Sequence, residues 1–271
     1  MTTQGKGTAL ITGASSGIGA VYADRLARRG YDLIIVARNR SKLDALATRL
    51  TNETKRSVEV LPADLNDKRD LARVEEALKK DATITLLVNN AGIGTFAPLL
   101  NSDINKMDEM IALNINALTR LTYAAVPGFV ARGTGTIVNI SSIVAISPET
   151  LNGVYGGSKA YVLAFTHSLQ HELASKGIRV QAVLPGATAT DFWHTGGLPI
   201  QNLPSAIVMT TENLVDAALS GLDQGELVTI PALPDKQEWD RFEGARRDMS
   251  TRLSRTVPAA RYAVKPSRSS I

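Results

Sequence analysis

The stretch Thr8-Ala9-Leu10-Ile11-Thr12-Gly13-Ala14-Ser15-Ser16-Gly17-Ile18-Gly19 decides the fold. A short apolar strand runs without a break into a loop with glycine at 13, 17 and 19, and residues 20 to 30 continue with helical spacing. Glycine adopts backbone angles closed to other residues and lets the main chain approach a ligand. A helix starting directly behind such a loop offers unpaired N–H groups and the positive end of its dipole, a seat for phosphate. Strand, glycine loop and helix in that order predict a nucleotide pyrophosphate site lined by Gly13, Ser15, Ser16, Gly17, Ile18 and Gly19.

The alternation continues outward from there. Asp32 to Ala37 reads as a second strand and Leu43, Leu46 and Leu50 as one face of a helix. Val58 to Leu61 gives a third strand leading to Asp64 and Leu65, and Leu71, Val74 and Leu78 repeat the helical stripe. Ile84 to Asn89 precedes the turn Asn90-Ala91-Gly92. Residues 103 to 132 read as one long helix, with Pro127 as a candidate bend and Asn114 and Asn116 in its body. Asparagine is not favoured inside helices, which points to a polar role there. A strand at 136 to 140 ends at Ser141-Ser142, a helix runs from about Tyr155 to Ser175, and a strand from Ile178 to Leu184 leads into Pro185-Gly186-Ala187-Thr188-Ala189-Thr190. Leu214 to Leu222 is helical, Leu227 to Ile230 a last strand, and Asp235 to Met249 a last helix. This order predicts an α/β fold with a single doubly wound parallel sheet and helices on both faces. No linker or repeat divides it, so one domain is expected over residues 1–271, with a lid at about 191–211 and a basic C-terminal extension at about 235–271.

Composition removes several chemistries. With no cysteine there is no disulfide, thiol nucleophile or thiolate metal site. His167 and His171 stand four apart but lack the His-Glu-x-x-His pattern, so no metal is expected. The net charge of +4 is concentrated: from Asp240 onward eight Lys/Arg face three Asp/Glu, leaving the body near neutral. No nucleic-acid motif accompanies that tail, and a solvated tail or subunit contact is the expectation. No apolar run approaches the length of a membrane span and no signal peptide precedes the first strand, so no membrane partner and a cytoplasmic location are expected.

About 20 residues beyond a glycine loop of this kind, an acidic side chain would accept the free ribose hydroxyl of NAD. Here Ala37 and Arg38 stand at that place. A cation without a nearby acid suits a 2′-phosphate, so Arg38, with Arg40, Lys42 and Ser15 as helpers, predicts NADP (NADPH) over NAD.

Gly153-Val154-Tyr155-Gly156-Gly157-Ser158-Lys159 places a phenol and an ammonium one helical turn apart. Bringing a tyrosine from a pKa of about 10 to neutrality takes roughly 4 kcal/mol. A cation at about 4 Å supplies about 1 kcal/mol in water and about 4 at an effective dielectric of 20, so the pair needs shelter or a second positive charge.

Taken together, these pieces resemble the short-chain dehydrogenase/reductase family in its compact single-domain, Rossmann-like form. Thr12-Gly13-x3-Gly17-x-Gly19, Asn89-Asn90-Ala91-Gly92, Asn114, Ser142, Tyr155-x3-Lys159 and Pro185-Gly186 stand in the family's order over roughly residues 8 to 190. The resemblance implies Tyr155 as general acid or base, Lys159 as its modulator and a holder of the nicotinamide ribose, Ser142 on the substrate oxygen, and Asn114 on a water leading to solvent. It further implies cofactor contacts at Asp64, Leu65, Asn90, Ala91, Gly92, Pro185, Gly186, Thr188 and Thr190, and a homodimer or homotetramer built on the helices near 103 to 132 and 155 to 175. Beyond residue 190 the resemblance thins out, and the stretch from Glu226 to Tyr262 resembles an extended tail found in a poorly characterised bacterial branch. Val144, Ile146, Leu151, Ala187, Phe192 and Trp193 would make an apolar pocket for a ketone, aldehyde or acyl-chain carbonyl. The alternative is an NADP-binding sensor or scaffold without chemistry.

Overall fold

The computed structural model describes residues 6–264. Seven parallel strands form one sheet in the order β3-β2-β1-β4-β5-β6-β7. They are β1 (Thr8–Thr12), β2 (Asp32–Ala37), β3 (Val58–Pro62), β4 (Ile84–Asn89), β5 (Gly135–Ile140), β6 (Ile178–Val183) and β7 (Val228–Thr229). The helices of the connections are α1 (Gly17–Arg28), α2 (Arg40–Thr54), α3 (Lys68–Lys80), α4 (Ile104–Ile111), α5 (Leu118–Arg132), α6 (Gly153–Leu173), α7 (Phe192–Thr195) and α8 (Thr211–Asp223). Successive strand residues point to opposite faces. Ile11 and Ile35 therefore join Tyr22 and Leu26 of α1, Leu43 of α2 and Leu214 of α8, whereas Leu10 and Ile34 join Val74 of α3, Leu121 of α5 and Leu169 of α6. The strand order reverses between β1 and β4, where open sheets of this kind form a crevice beyond the carboxyl ends of their strands.

The expected parallel doubly wound sheet is the fold observed. Two local expectations change. The helix expected over 103 to 132 is interrupted by a π-helical segment at Ala112–Ala117, while Pro127 lies inside α5 without ending it. An extra residue in a turn changes which side chain faces inward, and here Asn114 is buried at 1% exposure. The last strand is only Val228–Thr229, because only Ala182 and Val183 of β6 are paired with it.

The chain divides into two compact units between Ala232 and Leu233, close to the expected start of the basic extension. The second unit contains α9 (Lys236–Ser250), on which Glu243 is the one buried residue and Phe242 and Met249 stay half exposed. A helix that buries so little of its own apolar surface adds little to a core. The last seven residues of the extension lie outside the described residues. No described helix is long and apolar enough to cross a membrane.

A buried polar line crosses the middle of the sheet. The Asn89 amide donates to Thr122 Oγ1 at 3.1 Å and Asn139 Oδ1 at 2.9 Å, and Asn139 donates in turn to Thr166 Oγ1 at 3.0 Å. It ties β4 and β5 to α5 and α6. Replacing Asn139 by Ala would take one hydrogen bond from the buried Asn89 amide and one from the Thr166 hydroxyl, which keep their bonds to Thr122 and Val162 O, at about 0.5–1.5 kcal/mol for each bond lost. Urea unfolding of Asn139→Ala is expected to show a loss of about 1–3 kcal/mol; an unchanged midpoint would show that the line is dispensable.

Candidate active site

The loop between β1 and α1 is shaped by what its glycines leave out. Gly13 and Gly17 have φ of +67° and +55°, in the left-handed region. A Cβ on Gly19 would stand 2.3 Å from Gly13 O and 2.5 Å from Asn90 Nδ2, so no side chain fits. Thr12 Oγ1 accepts the N–H groups of Asn90 and Ala91, both at 3.0 Å, and Asn90 Nδ2 donates to Thr12 O at 2.8 Å. These bonds hold the Asn90-Ala91-Gly92 turn against the glycine loop. Ser16 stands at the N-cap of α1 but makes no side-chain cap, and no acid lies in the first turn. The amide end of α1 is left for an external anion.

Arg38 lies just past β2, the neighbour of β1, and is exposed without an ion pair to another described residue. Of its expected helpers, Arg40 is paired with Asp44 at 3.6 Å. Asp64 sits at the corresponding end of β3, where its carboxylate accepts Asn66 N, while the Leu65 side chain belongs to the core layer of α3 and α5. On the other side of the crevice, Thr190 lies against Gly17, and Thr188 is buried with its hydroxyl donating to Gly186 O at 3.0 Å.

The catalytic candidates converge at the end of β5. Asn152 caps α6 by accepting Val154 N at 2.9 Å and Tyr155 N at 3.4 Å, which fixes the start of the helix and the direction of Tyr155. Along α6, Ser141 Oγ donates to Lys159 O at 2.8 Å and Lys159 Nζ donates to Ile140 O at 3.0 Å. The ammonium stands 5.8 Å from the Tyr155 ring centroid. Ser142 caps the short turn Ile143–Ala145, accepting Val144 N at 3.3 Å, and its hydroxyl donates to Pro185 O at 3.4 Å. Asn114 uses its amide on protein partners: Oδ1 accepts Ile93 N at 3.0 Å, and Nδ2 donates to Ile93 O at 2.9 Å and Ser158 Oγ at 3.1 Å. A Cβ on Gly92 would stand 3.1 Å from Asn114 Oδ1 and 3.4 Å from Lys159 Nζ. The bare glycines and the open helix end fit a dinucleotide, with Lys159 at the floor of the crevice.

Burial governs the titration of this pair. It pushes the Tyr155 phenol up to about 12, against the opposing effect of the Ser142 hydroxyl, and brings the Lys159 ammonium down to about 8. A phenol in that state holds its proton at neutral pH.

Val144, Leu151 and Phe192 pack with Tyr155, Met107 and Met110 in one apolar cluster. Ile146 stays at the rim, 38% exposed, and Ala187 is half-buried, with its carbonyl accepting Met209 N at 2.9 Å. Trp193 does not touch the phenol; its ring stacks on Phe96 at 5.0 Å and its Nε1 donates to Thr188 O at 2.7 Å. Phe96, Gly94 and Asn152 escape a reading by motif. Asn152 directly before an apolar helix is a capping signal in the sequence, but nothing local marks Phe96, whose role depends on a partner about 100 residues away. Among the described residues no cluster of metal-ligating side chains occurs.

Comparison with known proteins gives a consistent result. The family model described as short chain dehydrogenase matches residues 7–197. A short-chain dehydrogenase of Sphingobium yanoikuyae, solved in complex with NADPH, is 48% identical with a TM-score of 0.92, over 94% of this chain and 99% of that one. The bulky-bulky ketone specific alcohol dehydrogenase of Comamonas testosteroni is 44% identical with a TM-score of 0.88, over 95% and 99% of the two chains. The very-long-chain 3-oxoacyl-CoA reductase of Anas platyrhynchos is 37% identical over 67% of this chain, and the matched part spans only 60% of that relative.

The titration shifts set opposite stability windows. For Lys159, lowered from 10.5, the unfolded chain binds more protons between about pH 8 and 10.5, so the cost of burying the charge is full below pH 8 and fades as pH rises through that window. For Tyr155, raised from 10.0, stability is retained below pH 10 and lost as pH rises toward 12. Lys159→Met is expected to be more stable than the parent at pH 7 by about 3 kcal/mol, at roughly 1.36 kcal/mol per unit. The gap should narrow between pH 8 and 10 in urea titrations; a gap independent of pH would contradict the burial argument.

Proposed function

The chain belongs to the short-chain dehydrogenase family, and on that footing we propose that it is an NADP(H)-dependent oxidoreductase interconverting a carbonyl and an alcohol. The observation that carries the proposal is the burial of Tyr155, Ser142 and Lys159 together, with the Lys159 ammonium 5.8 Å from the Tyr155 ring centroid. A carbonyl oxygen seated over this group would accept from both the Tyr155 and the Ser142 hydroxyls. The bound nicotinamide would supply or take back the hydride. Tyr155 donates its proton to the oxygen as negative charge develops there, and Ser142 stabilises that charge with a second hydrogen bond. Lys159 lowers the cost of the phenolate that remains, in a site dry enough for the charge to count. Gly13, Ser15, Ser16, Gly17, Ile18 and Gly19 would hold the pyrophosphate, Asn90, Ala91, Gly92, Pro185, Gly186, Thr188 and Thr190 the rest of the dinucleotide, and Arg38 the 2′-phosphate.

The preference for NADP(H) rests on the uncommitted Arg38 guanidinium and on the NADPH complex of the Sphingobium relative. The preference for an apolar ketone rests on the cluster of Met107, Met110, Val144, Leu151 and Phe192 and on the ketone specificity in the name of the Comamonas enzyme. Tyr123, 69% exposed and stacked on Phe165 at 6.4 Å, supports a homo-oligomer formed through α5 and α6.

Purified protein is expected to bind NADPH more tightly than NADH by nicotinamide fluorescence, and Arg38→Asp to remove that preference. Tyr155→Phe should bind NADPH within about threefold of the parent yet lose about 10²–10⁴ in turnover. Turnover within tenfold of the parent would displace Tyr155 as proton donor. Sedimentation should give a dimer or tetramer that Tyr123→Arg dissociates, whereas a monomeric parent would exclude the assembly.

A further inference from the structure

Above the phenol the chain builds an aromatic enclosure from two distant loops. The Phe192 ring lies 5.5 Å from the Tyr155 ring at 43°. Phe96 meets Phe192 edge-on at 5.9 Å, and Trp193 meets it edge-on at 6.0 Å. Phe96 and Trp193 stack at 5.0 Å with their planes 6° apart, so three rings pack as one body. The backbone closes the same joint, since Phe96 N donates to Gly196 O at 3.3 Å. The Asn152 amide anchors the Phe96 side, donating to Ala97 O at 2.8 Å and Ser102 Oγ at 3.1 Å. The Trp193 side is anchored by its indole bond to Thr188 and by the pairing of Thr188 with Met209.

Glycines make the room for this packing. A Cβ on Gly94 would stand 2.4 Å from Phe192 Cζ and 3.1 Å from Tyr155 Cδ2, in the angle between the two rings. A Cβ on Gly196 would stand 2.5 Å from Phe96 Cε2. Real Cβ atoms do not tolerate contacts this short, so the seat of Phe192 on Tyr155 exists only because residue 94 has no side chain. Phe192 thus occupies apolar volume next to the oxygen-binding hydroxyls. A ketone whose carbonyl reaches Tyr155 and Ser142 must put one of its two carbon substituents near that volume.

We propose that Phe192 is a specificity-determining residue whose ring fills the subsite for one substituent of a ketone, and that Gly94 creates that subsite. The inference rests on Tyr155 being the proton donor. A substrate with two bulky apolar groups has to displace Phe192 toward Phe96 and Trp193, while a methyl ketone leaves it in place. Shortening Phe192 enlarges the subsite, and a methyl group at residue 94 fills it, so the two changes shift selectivity in opposite directions.

The test compares dicyclohexyl ketone with cyclohexyl methyl ketone, using NADPH and the full chain. The ratio of kcat/KM, bulky over methyl, is expected to rise at least tenfold in Phe192→Ala and to a lesser extent in Phe192→Leu. In Gly94→Ala it is expected to fall at least tenfold, with NADPH affinity unchanged within twofold in all three. A second readout is independent of turnover: Trp193 emission in a Trp239→Phe background, titrated with dicyclohexyl ketone. Phe192→Ala should bind that ketone at least tenfold more tightly than its parent. A ratio that moves less than twofold in both Phe192 variants, or equal ketone binding, overturns the inference, and these two variants decide it even if Gly94→Ala does not fold. A parent that binds NADPH and reduces neither ketone overturns the functional reading instead, and the fluorescence titration still judges the subsite.

Discussion

Lys159 is held at both ends where β5 finishes: its ammonium donates to Ile140 O, the last residue of the strand, and its carbonyl accepts from Oγ of Ser141, the residue after it. Both bonds are buried, and a lysine in such a place carries a large desolvation cost unless something repays it. The rest of the site follows from keeping that cation where it is. The α6 helix must enter at one angle, which Asn152 sets by capping its first turn, and the phenol four residues before Lys159 then projects toward Ser142 at the end of the neighbouring strand. A charge this poorly solvated interacts strongly with whatever ionises beside it.

Beneath the site, the Thr122–Asn89–Asn139–Thr166 line keeps β4 and β5 in register with the helices that carry Asn114 and Lys159. At the glycine loop, Thr12 serves as a hub, joining the end of β1 to the Asn90–Ala91 turn. The two halves of the crevice are therefore tied by short polar contacts at the strand ends, and the glycines supply closeness. Above them the aromatic rings exclude water from the phenol by packing, with no polar contact to the Tyr155 hydroxyl.

The sheet, its parallel sense and the position of the crevice were legible because hydrophobic periodicity and glycine placement are local signals. That Tyr155 and Lys159 share a face of α6 was legible for the same reason: a spacing of four on a helix defines a shared face whatever surrounds it. The long helix was misread because its interruption at Ala112–Ala117 depends on Asn114 bonding Ile93, a partner 21 residues away. The apolar residues of α9 are few, and the helix buries little of itself.

By itself the sequence determined the α/β alternation, the glycine-rich turn between β1 and α1, the absence of thiol chemistry and the placing of a phenol and an ammonium one helical turn apart, all set by residue type at short spacing. Tertiary structure alone decided that Phe96 would meet Trp193, that Gly94 would yield its space to Phe192, and that the Asn114 side chain would bind Ile93 and Ser158. It also decided how far burial moves Tyr155 and Lys159 from their ordinary titration. The physical reason is range: periodicity and capping act within a few residues along the chain. Packing and desolvation depend on which distant segments close over a group, and no local pattern records that.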